Sequence, residues 1–164
     1  ISYLTLNTDC QELAYVLKPE ETEAPDYLKD ALIQANAVQD HLTNNFKTGR
    51  TGNESLRMAI ADSKAAGLRP QIYTHPLGLF GHSAGTTFGM WDAQEGVPGS
   101  GDHPLYENTV YAIELNAKVY LEEWGKDIRV MLEEPGFYGP DGFRYVNGRQ
   151  TELLLIGSKT PHLE

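Results

Sequence analysis

Cysteine is almost missing from this chain. Cys10 stands alone in 164 residues, so no internal disulfide can form and the redox compartment is left open. Basic side chains are scarce too: 13 Lys and Arg face 23 Asp and Glu, a formal net charge of −10. A chain that binds phosphate backbones needs a basic face, so this balance argues against nucleic acid as a partner. No apolar run approaches the roughly 20 residues that cross a bilayer, which excludes a helical membrane span. An initiator methionine is also lacking. Ile1 begins in the middle of a strand-like run, so the chain reads as an excised piece, and a missing leader says nothing about cytoplasmic or exported location.

What remains is globular: 40% hydrophobic and 22% charged residues over a length that can bury one sizeable core. Residues 1–162 read as one partial domain, with Leu163 and Glu164 set aside as a possible cloning scar. Inside the apolar runs sit isolated ionisable residues. Asp9 follows Asn7-Thr8, Glu114 interrupts Ala112-Ile113-Leu115, Glu133 follows Met131-Leu132, and His82 lies in Gly81-His82-Ser83-Ala84-Gly85. Each has an ordinary alternative, Glu114 through pairing with Arg129 and His82 as a loop histidine. Together they carry more weight. A charge within a buried strand is costly unless compensated, and a divalent cation shared by carboxylates and imidazole compensates several at once. The set points to a metal-dependent hydrolase.

The element pattern is α+β. Tyr3–Leu6 and Leu13–Leu17 read as two short strands pairing as a hairpin around the Asn7-Thr8-Asp9 corner. Pro25 suits a first helical turn. Leu28, Ala31, Leu32, Ala35, Val38, Leu42 and Phe46 then recur at the helical period. Asn53 or Ser55 is placed to cap a second helix that stops at Gly67. Strands follow at Gln71–Thr74, Thr109–Leu115, Lys118–Leu121, Ile128–Leu132 and Leu153–Ile156. A hairpin, two helices and a mostly antiparallel sheet suggest helices packed on one face of a curved sheet.

The order Gly-His-x-x-Gly, then Ile113-Glu114, then Leu132-Glu133-Glu134 resembles the C-terminal part of the catalytic domain in the pita-bread metallopeptidases. That family includes Xaa-Pro aminopeptidase, prolidase, methionine aminopeptidase and the creatinase-like relatives. The resemblance runs from about Asp9 to Ile156. It implies a pita-bread fold and two divalent metal ions, manganese foremost, with zinc, cobalt or iron as alternatives. It also implies a proline-containing peptide as substrate, cleaved beside proline by a metal-activated water, and allows a homodimer. In the family, paired ions about 3.5–4 Å apart are bridged by carboxylates that screen their repulsion. Carried over, Asp9, His82, Glu114 and Glu133 are the metal ligands. Glu133 is the bridging carboxylate and Glu114 lies close to the attacking water. The family's first aspartate falls before Ile1.

Two departures matter. If the family's Ile-Arg-Ile-Glu pattern is laid on Ile128-Arg129, Met131 takes the glutamate's place. If the strand is read as Val130–Glu134, Glu133 keeps it, and Arg129, Met131 and Glu133 share one strand face while Glu134 points away as a surface or structural charge. The second register is preferred. Further, a histidine expected about seven residues past the ligand histidine is missing, and Trp91 stands nearest its place. His75 corresponds to the family's upstream histidine and takes a catalytic role with Glu114 if a short insertion at Pro76-Leu77-Gly78 is allowed. His103 is a second candidate from the turn-rich 94–104 loop. Trp91 and His103 are the substrate-binding candidates, although Trp91 in a Met-Trp-Asp context is more commonly core. These departures leave a second function open: a catalytically inactive pita-bread domain that binds a peptide or protein.

Overall fold

The computed structural model describes residues 9–157 and two short strands before them, β1 (Ser2–Tyr3) and β2 (Leu6–Asn7), which pair antiparallel. Leu4, Thr5 and Thr8 of the expected hairpin, and residues 158–164, lie outside the described residues. The chain continues through β3 (Ala14–Val16), helix α1 (Asp26–Thr43), helix α2 (Gly52–Ala65), β4 (Pro70–Ile72), β5 (His75–Gly78) and β6 (Gly81–His82). It closes with β7 (Thr109–Leu121), β8 (Lys126–Gly139), β9 (Gly142–Tyr145) and β10 (Leu154–Ile156).

The sheet is built on the β7–β8 hairpin, antiparallel over 13 residue pairs from Thr109↔Tyr138 to Leu121↔Lys126. The expected break between Thr109–Leu115 and Lys118–Leu121 does not exist: Asn116 and Ala117 continue one strand. Their side chains explain this. Ala117 is buried among the core residues, and Asn116 is buried with its amide donating to Gln71 Oε1 at 2.9 Å, so neither forces a turn. The sheet order is β6-β5-β7-β8-β9, with β4 also paired to β7.

Alternation along β7 and β8 separates two faces. Tyr111, Ile113, Leu115, Ala117, Val119 and Leu121 pack with Val130 and Leu132 in one core cluster with the helices. Helix α1 lies on that face with Ala31, Leu32, Ala35, Val38 and Leu42 fully or nearly buried, and the small side chains of Ala31 and Ala35 let the helix sit close. Phe46, just past α1, is the aromatic hub. It stacks on Phe88 with centroids 4.8 Å apart and contacts Tyr111 at 5.2 Å, Phe143 at 5.3 Å and Tyr138 at 5.6 Å.

Several sequence expectations need correction. The cap of α2 is Thr51, not Asn53 or Ser55: its hydroxyl accepts from Glu54 N–H while Glu54 Oε2 accepts from Thr51 N–H. Asn53 is buried for a different purpose. It donates to the Val97 carbonyl and Asp102 Oδ1 and accepts from Val97 N–H, which pins the 94–104 loop to the helix. Among the described residues, the strand at Leu13–Leu17 does not pair with the N-terminal strand. Its core, β3, runs parallel to β10, with Ala14 opposite Leu154. Gln150 holds this arrangement, accepting from Leu13 N–H and donating to Leu13 C=O, both at 2.7 Å. Of the two readings of Glu134, a surface or a structural charge, the structural one holds. Opposite Ile113, it is buried on the helix side and accepts from Gln150 N–H at 2.9 Å.

Gly89 tests how closely the sheet and the following loop are joined. Its φ is +74°, and a Cβ there would run into the Ile72 carbonyl. Gly89→Ala is expected to lower stability by about 2 kcal/mol or more, read as a shift in the urea midpoint without a change in slope.

Candidate metal centre and cleft

On the sheet face away from the helices, Glu114 stands directly opposite Glu133. Register therefore puts two carboxylates side by side, an arrangement that costs energy when both are charged. β5 pairs with β7 with His75 opposite Ala112, and β6 folds back on β5 through the two-residue loop Leu79-Phe80. His82 then lies opposite Leu77, whose side shares a face with His75, so the two imidazoles meet: their rings stack at 3.9 Å. Asp9 enters from the other side, on the segment whose Gln11 N–H donates to the Glu133 carbonyl at 2.9 Å.

His75 is the centre of this cluster. Its Nε2 lies 3.6 Å from Glu114 Oε2 and 3.9 Å from Asp9 Oδ2, and His82 Nε2 lies 3.6 Å from the same Asp9 oxygen. These spacings are too long for hydrogen bonds. His75 Nε2 is buried and has no hydrogen-bond partner. Buried polar nitrogens are normally satisfied. Two overlapping trios, Asp9–His75–His82 and His75–Glu114–Glu133, have ligand atoms all within 4.8 Å of one another. Mixed carboxylate and imidazole donors at such spacings would suit a divalent first-row cation. The residues present thus fit the implied metal, and the orphaned His75 nitrogen is the atom that the metal would satisfy.

The electrostatics agree. Burial, then the Glu114 and Asp9 carboxylates, push the Glu133 carboxyl up from 4.5 to about 7. For His75, burial acts to lower the pKa, but the Glu114 carboxylate, the Pro76 carbonyl and Asp9 outweigh it and the imidazole is raised. Without a cation, the site gathers protons to offset its own negative charge.

All four residues read as ligands from sequence thus stand at one place, and His75 joins them. His82 is far more open than a closed ligand, with 79% of its side chain exposed, while His75 is 12% exposed. Sequence reasoning gave His75 a catalytic role but did not place it as the centre of the donor set. The signal was present in His75-Pro76-Leu77-Gly78, where a tight hairpin returns His82 to the same face.

Beside the donors lies a cleft of about 610 Å³ lined by Tyr73, His75, His82, Trp91, Glu114, Asn116, Arg129 and Met131, among others. Trp91 is not core. It is 61% exposed and lines this cleft, because the Met90–Ala93 bridge turns it outward and Gln71 donates to its carbonyl. Arg129 does not pair with Glu114; its guanidinium lies 5.9 Å over the Trp91 ring. His103 does not reach the site. It is exposed and outside the residues lining the cleft, and its carbonyl accepts from Thr86 Oγ1 and Gly52 N–H.

An X-Pro aminopeptidase from Thermotoga maritima MSB8 superposes with a TM-score of 0.60 at 18% identity, covering 90% of this chain and 37% of that one. The prolidase from Pyrococcus horikoshii OT3 gives 0.60 at 19% identity, covering 93% and 39%. The N-terminal domain of the FACT complex subunit SPT16 from Cicer arietinum gives 0.54 at 13% identity, covering 79% and 31%. No family model and no curated protein matches the sequence. The chain has the pita-bread fold, α+β with a mostly antiparallel sheet, and spans 31% to 39% of the structures just described. No helix among the described residues is long and apolar enough to cross a membrane.

Both raised groups act on stability with the same sign. Glu133 holds its proton more tightly folded than unfolded, so its contribution is full below about 4.5 and is lost as pH rises through about 7. His75, also raised, contributes below its ordinary 6.5 and loses that contribution above it. In chelator, the chain should therefore lose about 2–3 kcal/mol of stability between pH 5 and pH 8. Thermal melts across that range check this, and Glu133→Gln should flatten most of the slope.

Proposed function

We propose that this chain carries the metal centre and part of the substrate cleft of a peptidase of the Xaa-Pro aminopeptidase or prolidase type. The observation that carries the reading is His75 Nε2, buried and without a partner, facing the carboxylates of Asp9 and Glu114 at the edge of an open cleft. Asp9, His75, His82, Glu114 and Glu133 are the ligand set, with manganese favoured by its oxygen-rich donors and zinc, cobalt or iron as alternatives. Divalent ions held there supply Lewis acidity toward a peptide carbonyl and a water nucleophile active near neutral pH.

The chain's own residues do the rest. Glu133, opposite Glu114 on the neighbouring strand and grouped with it and His75, is the most buried carboxylate of the set and would hold the cations together with them. Glu114, less buried than Glu133, faces the cleft and accepts the proton of the attacking water. Thr74 fixes the Glu114 backbone, its hydroxyl accepting from Glu114 N–H at 3.1 Å and donating to Glu114 C=O at 3.0 Å. Tyr73 and Trp91 offer apolar walls to a proline ring. A homodimer belongs to the same proposal.

One observation favours a second reading. The cleft rim presents the Trp91 indole where a further imidazole is expected, and the same fold occurs in the SPT16 domain of a FACT complex subunit. On that reading the domain binds a peptide or protein and catalyses nothing.

The experiment is hydrolysis of Xaa-Pro peptides by the full-length protein loaded with manganese or cobalt. Activity is expected to vanish in chelator and return with metal. His75→Ala and Glu114→Ala should each lower kcat/KM by 10²-fold or more, with the fold retained by circular dichroism. Full metal occupancy with no cleavage of any proline-containing peptide decides for the binding domain.

A further inference from the structure

The cleft is electrically polar. One end holds Asp9, Glu114 and Glu133. At the other, Arg129 lines both this cleft and an adjoining cavity of about 330 Å³ that also holds Lys64, Arg69 and Lys118. In a chain of net charge −10, this concentration of cations is out of keeping with the surface around it. Register makes it sharper, since Arg129 stands directly opposite Lys118 on β7. Like charges so placed repel unless something intervenes. Asp127 relieves only part of that, pairing with Lys118 at 3.0 Å and with Arg69 at 2.6 Å. Among the described residues Arg129 has no carboxylate within ion-pair distance, and its one recorded ring contact is with Trp91.

Trp91 is held there deliberately by polar contacts rather than by burial. Gln71 Nε2 donates to its carbonyl, and Gln94 Nε2 donates to the carbonyls of Met90 and Ile72, so the turn that carries the indole is tied to β4. Gln71 is in turn fixed by Asn116, which lines the cleft between the two ends. A guanidinium carbon 5.9 Å over an indole leaves its N–H fork free for an incoming planar anion. The fork geometry matches a carboxylate.

Arg129 and Glu133 share a strand face, four residues apart, which is about 13–14 Å along the strand. An extended peptide covers that span with about four residues. Resting on the peptidase reading above, we propose that Arg129, braced by Trp91 and supported by Lys118, binds the free C-terminal carboxylate of a short peptide whose scissile bond lies at the Glu114–Glu133 end, so that the cleft selects peptides of about four residues. Arg129 is here a specificity residue. Its carboxylate partner must reach across Met131 and Asn116, which a dipeptide cannot do.

Calorimetric titration of the full chain in chelator, where no turnover occurs, tests this directly with Ala-Pro-Ala-Ala as the free acid and as its C-terminal amide. The acid is expected to bind at least tenfold more tightly than the amide and than the dipeptide Ala-Pro. Arg129→Ala should erase the preference, Trp91→Ala should weaken it, and Arg129→Lys should keep part of it; because Arg129 and Trp91 are exposed, these variants are expected to fold. Equal binding of acid and amide, or an Arg129→Ala chain that still prefers the acid, overturns the proposal. So does an Ala-Pro-Ala-Glu amide that binds as tightly as the acid, since the recognised group would then be an acidic side chain. Failure of the metal-loaded full-length protein to cleave any of these peptides defeats the peptidase reading, while calorimetry still decides the carboxylate preference.

Discussion

The side-by-side placement of Glu114 and Glu133 is the constraint on which the rest depends. Two carboxylates on neighbouring strands, one of them almost fully buried, cannot both be charged without a cation or a proton between them. The molecule concentrates its answers there. His75 brings a buried imidazole with an unclaimed nitrogen, and Asp9 and His82 widen the donor set. A sheet face that would be unstable as protein alone becomes reasonable as a cation site. The opposite face of the same two strands holds one buried carboxylate, Glu134, which accepts from Gln150 N–H, and otherwise serves as the hydrophobic floor for α1.

Rigidity of the site follows from that division. The face toward α1 fixes the strands through close-packed side chains, with Phe46 joining the helix end to β7, β8 and β9. Because β7 and β8 are long and fully paired, their register cannot slip by one residue without turning Ile113 and Leu115 to water and Glu114 into the core. The position of the carboxylates is thus set by apolar packing on the other side of the sheet.

That coupling explains what could be read from the sequence. The helices were legible because helical period is a local signal, and Glu114 because it interrupts an apolar alternation, whereas Glu133 competed with Met131 for its place until the β7–β8 pairing set it opposite Glu114. What was not legible depended on distant partners. β3 looks like half of a local hairpin, but its partner β10 lies some 140 residues away, and nothing in Leu13–Leu17 encodes that choice. Glu134 looks exposed by charge, and becomes buried because Gln150 supplies a donor from a loop. Trp91 has the composition of a core residue, and faces outward because glutamine side chains hold its turn. His103 suggested a loop dipping into the site, whereas Asn53 draws that loop against α2 instead.

The parallel pairing of β3 with β10, secured by Gln150, has a temporal meaning. The segment that delivers Asp9 to the donors is anchored by residues 137 positions later in the chain. A contact of such separation closes a large loop and forms late. During synthesis from the N-terminus, the residues around Glu114, Glu133 and His75 can fold into a packed hairpin before Gln150 and β10 have been made. Gln11 can tie the Asp9 segment to Glu133 before then, but the strand behind it is locked only when β10 has paired, so the donor set is drawn together first and fastened last.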